Sequence, residues 1–166
     1  MAELWNESQD LIQGNKLNLY LTSGKTVVAY GTNASVQIDT ETLDTSSKFA
    51  CRWASAIGGK SNYTINSDSL YTTNSGACSF DQFIEWMVAG DQIEWYLGQE
   101  VKQPASVSCS ENPHTLDTTK TYYNGKGIIS SCSLEAGMDE AVSTSITITG
   151  AGPIEKNGAQ IEGGGE

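Results

Sequence analysis

The 166-residue sequence predicts a mostly β chain, a β-sandwich or barrel of about seven strands with one α-helix packed on it. Three observations predict this. Several short stretches alternate apolar and polar residues with the period of a half-buried strand. Only one stretch, 79–90, combines helical spacing with helix-start and helix-stop residues. Gly, Ser, Thr and Asn are abundant, and charged residues make up 17% against the usual share of about 25%. The length suffices to bury a core without staples and reads as one domain, 15–156, between an N-terminal arm, 1–14, and a flexible C-terminal tail, 157–166.

The elements follow in chain order. The arm holds little pattern beyond Leu4, Trp5, Leu11 and Ile12. "KLNLYLTSGKTVVAY" reads as a hairpin: Leu17, Leu19 and Leu21 share one face, Ser23-Gly24 supplies the turn, and Thr26 to Tyr30 returns. In "ASVQID", Val36 and Ile38 alternate with Ser35, Gln37 and Asp39. Residues 41–60, "ETLDTSSKFACRWASAIGGK", show neither period and read as a long projecting loop; loops of that length in compact domains tend to be functional or disordered. Tyr63 and Ile65 then alternate with Asn62, Thr64 and Asn66.

The helix opens at Ser79, an N-cap with Gln82 completing a capping box, and Gly90 ends it. Phe80, Phe83, Ile84, Met87 and Val88 recur at the spacing of a core-facing stripe. "QIEWYLG" is a strand, and 99–119 a second long connection carrying Pro104 and Pro113. "YYNGKGIISSCSLEA" opens on an Asn-Gly turn signal and continues as a strand. Val142, Ile146 and Ile148 oppose Ser143, Ser145, Thr147 and Thr149 in the last strand. Several strands thus carry a face of small hydroxyl and amide residues, suited to water, to another chain, or to both.

The charge narrows the function classes. A net charge of −11 leaves no positive footprint for specific nucleic-acid binding. It serves solubility, or a surface that must repel a polyanion. No apolar run approaches the roughly 18 residues of a membrane span, and the first residues lack a signal-peptide pattern, so the expectation is a product kept in the cytoplasm. Cys51, Cys78, Cys109 and Cys132 are widely spaced and only one histidine is present, so no zinc site or other metal site is expected and the cysteines read as buried thiols. His114 lies in a polar, Pro-bounded connection, a poor place for a catalytic base, and no nucleophile, phosphate-loop or dinucleotide motif occurs. The chain reads as no enzyme, with no cofactor. The pairs Asp139-Glu140 and Glu41-Asp44 suit a hard cation, but acids in turns are usually just solvated. Trp86 and Trp95 read as core. Trp53, beside Arg52 in the long loop, is either an interface anchor or part of a loop folded over its own core.

From Gly14 to Lys156 the order of these stretches resembles a phage major tail tube protein of the long, non-contractile (siphophage) type. The hairpin, "TNASVQIDTETLDTSSK", "SNYTINSDSLY", the helix ending in "MVAG", "YYNGKGIISSCSLEAG" and "STSITITGAGPIEK" carry the resemblance. It implies a structural subunit of a virion tail, assembled in the host bacterial cytoplasm. Hexameric rings would stack into a hollow tube through which DNA passes without specific binding, and a long loop and terminal arms would reach the adjacent ring. Tape-measure and tail terminator or tip proteins would be partners, with no membrane. Arg52 and Trp53 would then be inter-ring contacts. Asp39, Glu94 and Glu135 lie on strands among apolar neighbours and point away from the core, toward the outside or the lumen, which makes them candidates for an acidic lumen. A related structural option is the ring protein of a bacterial secretion tube. A β-sandwich ligand-binding module, for instance for carbohydrate, is the alternative from another class, and a small hydrolase a third.

Overall fold

The structure, a computed structural model, describes residues 12, 14–47, 54–74, 76–108 and 114–161. It is mostly β with one helix, and its strands form a single antiparallel nine-stranded sheet. Strands β1 (Leu17–Leu21), β2 (Thr26–Val27), β3 (Gly31–Asp44) and β4 (Ala56–Leu70) precede helix α1 (Phe80–Ala89). Strands β5 (Ile93–Gln99), β6 (Tyr123–Glu135), β7 (Ser143–Gly150), β8 (Glu155–Lys156) and β9 (Ala159–Gln160) follow. The path through the sheet is β2-β1-β5-β6-β7-β4-β3, with β8 and β9 as a small hairpin joined to the start of β6.

One face of the sheet makes the core. Leu19 and Leu21 from β1, Trp95 from β5, Ile129 from β6, and Ile146 and Ile148 from β7 are all buried there, with Phe83 of α1 against them. Burial of this kind contributes roughly 1.5–3 kcal/mol per large apolar side chain. Strict register keeps it coherent: Ile65 pairs with Ile148 on β4–β7, and Ile148 pairs with Ile129 on β7–β6. Trp95 lies edge-on to Tyr63, with ring centroids 5.5 Å apart, and its indole N–H donates to the Tyr63 hydroxyl at 3.3 Å. That hydroxyl in turn donates to the Lys126 carbonyl. The two polar tips inside the core are therefore partnered, as buried tips must be.

The helix is capped as its sequence implies. The Ser79 N–H donates to Gln82 Oε1 at 3.0 Å, and Gly90 closes the last turn at φ 70°. Its buried stripe is narrower than the five apolar residues suggest. Phe83 is fully buried and Trp86 and Met87 half-buried, whereas Ile84 and Val88 are exposed, Val88 at 79%. The helix covers only part of the sheet, chiefly β6, so among the described residues one side of its apolar stripe has nothing beneath it.

Three expectations change. Both ends of the stretch 41–60 are strand: β3 runs on to Asp44 and β4 begins at Ala56, leaving 45–55 as the connection, of which 48–53 lie outside the described residues. A bulge between Thr40 and Thr42, opposite Gly58 to Ser61, breaks the alternation there. Asn124-Gly125 is not a turn but lies inside β6, because a Cβ at Gly125 would sit 2.7 Å from the Tyr63 hydroxyl and 3.0 Å from the Trp95 ring. In the tail, Asn157 and Gly158, at φ 53° and 77°, turn the β8–β9 hairpin back on β6, and 162–166 lie outside the described residues.

The second long connection also packs. Leu116 bridges to Glu100 and is 3% exposed, lying over Gly98 of β5 on the face opposite the core. Cys78 is buried and Cys132 half-buried, both as free thiols; Cys51 and Cys109 lie outside the described residues. Burial pushes the Cys78 thiol up to about 11 and raises that of Cys132.

Candidate functional site

Four neighbouring strands, β3, β4, β7 and β6, turn a polar face away from the core. Register fixes its rows. Ser35 lies opposite Asn66, Asn66 opposite Thr147, and Thr147 opposite Ser131. One row further along β4, Asp68 lies opposite Ser145, which lies opposite Ser133. Cross-strand hydrogen bonds tie the face together: Thr147 Oγ1 to Asn66 Oδ1 at 2.9 Å, and Thr149 Oγ1 to Ser130 Oγ at 3.0 Å. A bulge between Ile129 and Ser131 puts Ser130 on this side as well. Small hydroxyl and amide groups bonded to one another leave a flat surface with few long side chains.

The acids Asp39, Asp68 and Glu135 lie on this face, and the segments 31–39, 62–70, 128–135 and 143–150 contain no lysine or arginine; Lys60 lies further out on β4 and Lys126 earlier on β6. Asp39, exposed in the middle of β3, accepts both contacts from Gln37 Nε2 at 3.1–3.2 Å. Glu135 ends β6 and pairs with Ser143. Counted along β4 from Asn62 to Leu70, the two are offset by about 26 Å in the strand direction at about 3.3 Å per residue, and they lie on the two outer strands of the four. Asp68 sits between them, accepting from Ser145 Oγ at 2.7 Å and Asn33 Nδ2 at 3.3 Å. Sequence reading missed Asp68, although the alternation Asn62, Thr64, Asn66 continues directly to it.

Glu94 is placed elsewhere. It is half-buried on β5, opposite Lys126, and accepts the Tyr96 hydroxyl at 3.0 Å. Burial first, and then that contact, push the Tyr96 phenol up to about 12. Glu94 borders a cleft shared with Tyr122, Asn124 and Glu155. Lys25 lies over the Tyr96 and Tyr122 rings, at 5.3 and 6.0 Å from their centroids, so a cation already occupies the aromatic surface on which a sugar would stack.

The polar face has two open edges. Among the described residues β3 has no strand on its far side. β5 pairs with β6 only as far as Gly127, so among the described residues 128–135 has a strand on the β7 side alone. β3 and β4 also continue past the rest of the sheet: β7 pairs with β4 only from Thr64 onward, so 56–62 pairs with β3 alone. This arm exposes apolar groups, Ile38 on one strand and the facing pair Leu43 and Ile57. Near its end the Asp44 carboxylate accepts the Ser46 N–H at 2.7 Å, and hydrogen bonding with Ser46 lowers its pKa. Arg52 and Trp53 lie outside the described residues.

His114, at φ 47°, places Nδ1 2.9 Å from Glu100 Oε2. Among the described residues no three His, Cys, Asp or Glu side chains form a metal-binding group. No helix among them is long and apolar enough to cross a membrane.

No protein-family model and no curated protein matches the sequence. Solved structures do. A chain of the virion of a native gene transfer agent particle aligns over 88% of this chain and 98% of its own, at 13% identity and a TM-score of 0.66. A chain from the tail of an empty gene transfer agent particle, of C6 symmetry, aligns over 87% and 98% at 15% identity with the same TM-score. The SPP1 tail tube protein aligns over 91% and 81% at 14% identity and a TM-score of 0.62. The chain therefore has the tail tube fold.

Proposed function

We propose that this chain is a structural subunit of a phage tail tube, without catalytic activity, in which hexameric rings stack into a conduit for DNA. The observation that carries the reading is the four-stranded polar face: three acids in stretches without lysine or arginine, hydroxyls bonded to one another, and, among the described residues, an open edge on either side. A β6 edge laid beside the β3 edge of the next copy is a heterologous contact. Such contacts close into a ring when the rotation allows. The C6 symmetry of the gene transfer agent tail supports six copies. The closed sheet would line the lumen with Asp39, Asp68 and Glu135, while Glu94, beside its cleft, would flank that lining.

Carboxylates repel phosphates within a Debye length of about 8–10 Å, so DNA would slide past such walls without being held. The projecting arm would reach the adjacent ring, with Arg52 and Trp53 at the contact. Tape-measure and terminator or tip proteins would bound the tube in a virion tail assembled in the host cytoplasm. Electron microscopy of the purified chain at rising concentration tests the reading. Rings and stacked tubes are expected; a persistent monomer that binds glycans would replace this reading with that of a ligand-binding module.

A further inference from the structure

We infer that the uncovered row of helix α1 is the seat for strand β3 of the neighbouring copy in the same ring, with Ile38 as the group that fills it. The step rests on the tube reading and on the contact between a β6 edge and a β3 edge. It adds to that contact a second, apolar layer on the core side of the sheet.

The helix divides its apolar residues between two rows. Phe83 is fully buried and Met87 half-buried, while Phe80, Ile84 and Val88 recur every four residues on the other row. That second row is about 12 Å long at about 1.5 Å per residue. It opens toward its end: Phe80 is half-buried, Ile84 is 37% exposed and Val88 79%. The helix lies chiefly against β6, and its C-cap Gly90 leads on to Ile93, the first residue of β5. Ile93 pairs with Gly127, where β5 stops covering β6. The open end of the row therefore lies close to the point at which the β6 edge becomes free.

Strand β3 carries the matching group. Ala34 and Val36 pack against the core, and Ile38, next in that alternation, turns to the same side yet is 61% exposed. Register sets its height. Ile38 pairs with Tyr63; in the adjoining row Thr64 pairs with Thr149, and the next residue of β7, Gly150, pairs with Gly127. Ile38 and Gly127 are thus level, at opposite edges of the four strands. A β3 edge laid beside the β6 edge of another copy brings Ile38 to the helix side of the sheet, at the height of the open row. A closing barrel staggers adjacent strands, so the row as a whole, and not Val88 alone, is the seat. Backbone pairing at an open edge accepts any strand, whereas an apolar group entering a matching row selects one.

Charged substitutions test this in the full chain, read at the ring and not at the tube. Val88→Lys and Ile38→Asp should each raise the concentration needed for rings on the order of tenfold by sedimentation velocity. The urea midpoint of the monomer should stay unchanged, because both positions are exposed in it. A chain carrying both substitutions should form rings within about threefold of the original, since opposite charges then face each other across the contact. Rings unchanged by Val88→Lys overturn the inference and leave the edge contact standing; a loss that the doubly substituted chain does not repair overturns it as well. If Ile38→Asp fails to fold by circular dichroism, Ile38→Thr, which keeps the β-branch, replaces it: a higher ring concentration supports the seat and an unchanged one overturns it. Failure of the unaltered chain to form rings at all is a different result and removes the tube reading instead.

Discussion

Gly125 shows how a residue can be legible in the sequence for the wrong reason. Asn-Gly is a strong hairpin signal where both residues need positive φ. At 124–125 the glycine is present because no Cβ fits between Tyr63 and Trp95, and the backbone stays extended within β6. Gly127 is as tight, with a Cβ position 2.4 Å from Ile148 Cγ2. Such contacts are long-range and leave no local pattern. Asp68 is the opposite case, readable by continuing an alternation two residues further. Gly125→Ala should destabilise the fold by about 1–3 kcal/mol, the usual cost of overpacking. Urea unfolding followed by tryptophan fluorescence would measure it; a loss below about 0.5 kcal/mol would mean the Tyr63–Trp95 pair yields easily.

At the scale of elements, those that pack through their own period were readable. The hairpin at Leu17–Leu21, the capped helix and the strands carrying Trp95 and Ile148 all appear where the alternation or helical spacing puts them. Two elements were hidden. The arm strands were missed because bulged Gly58-Gly59 breaks the period and because a two-stranded arm beyond the core buries nothing that would impose one. The β8–β9 hairpin was missed because two-residue strands have no period at all; its stability comes from β6, through Tyr123–Lys156 and Asn124–Glu155 pairing. Its one local signal is Asn157-Gly158, an Asn-Gly pair that does turn. Gly158→Ala would force a side chain into φ 77° and should cost the hairpin on the order of 1 kcal/mol. Hydrogen exchange would report it: faster exchange at 155–160 with the rest of the sheet unchanged is expected, and global acceleration would show that the hairpin belongs to the cooperative core.

For the whole molecule, net charge constrains function only once the fold says where the charges lie. A value of −11 is compatible with plain solubility. The sheet distributes it unevenly: the stretches 31–39, 62–70, 128–135 and 143–150 hold Asp39, Asp68 and Glu135 and no lysine or arginine, while Lys25 and Lys126 sit beside the cleft with Glu94. If that face lines a conduit, reversing its sign should turn a passage into a trap. Asp39→Lys with Glu135→Lys leaves the Asp68 hydrogen bonds to Ser145 and Asn33 in place and changes two exposed groups, so folding should shift by no more than about 0.5 kcal/mol per site. Assembled tubes of this variant should retain labelled DNA at about 50 mM salt and release it by about 200 mM, because each phosphate contact adds nearly one unit to the salt slope. Tubes of the unaltered chain should retain none at either concentration. Equal retention by both, or binding by the variant that ignores salt, would mean that these carboxylates do not face the path of the DNA.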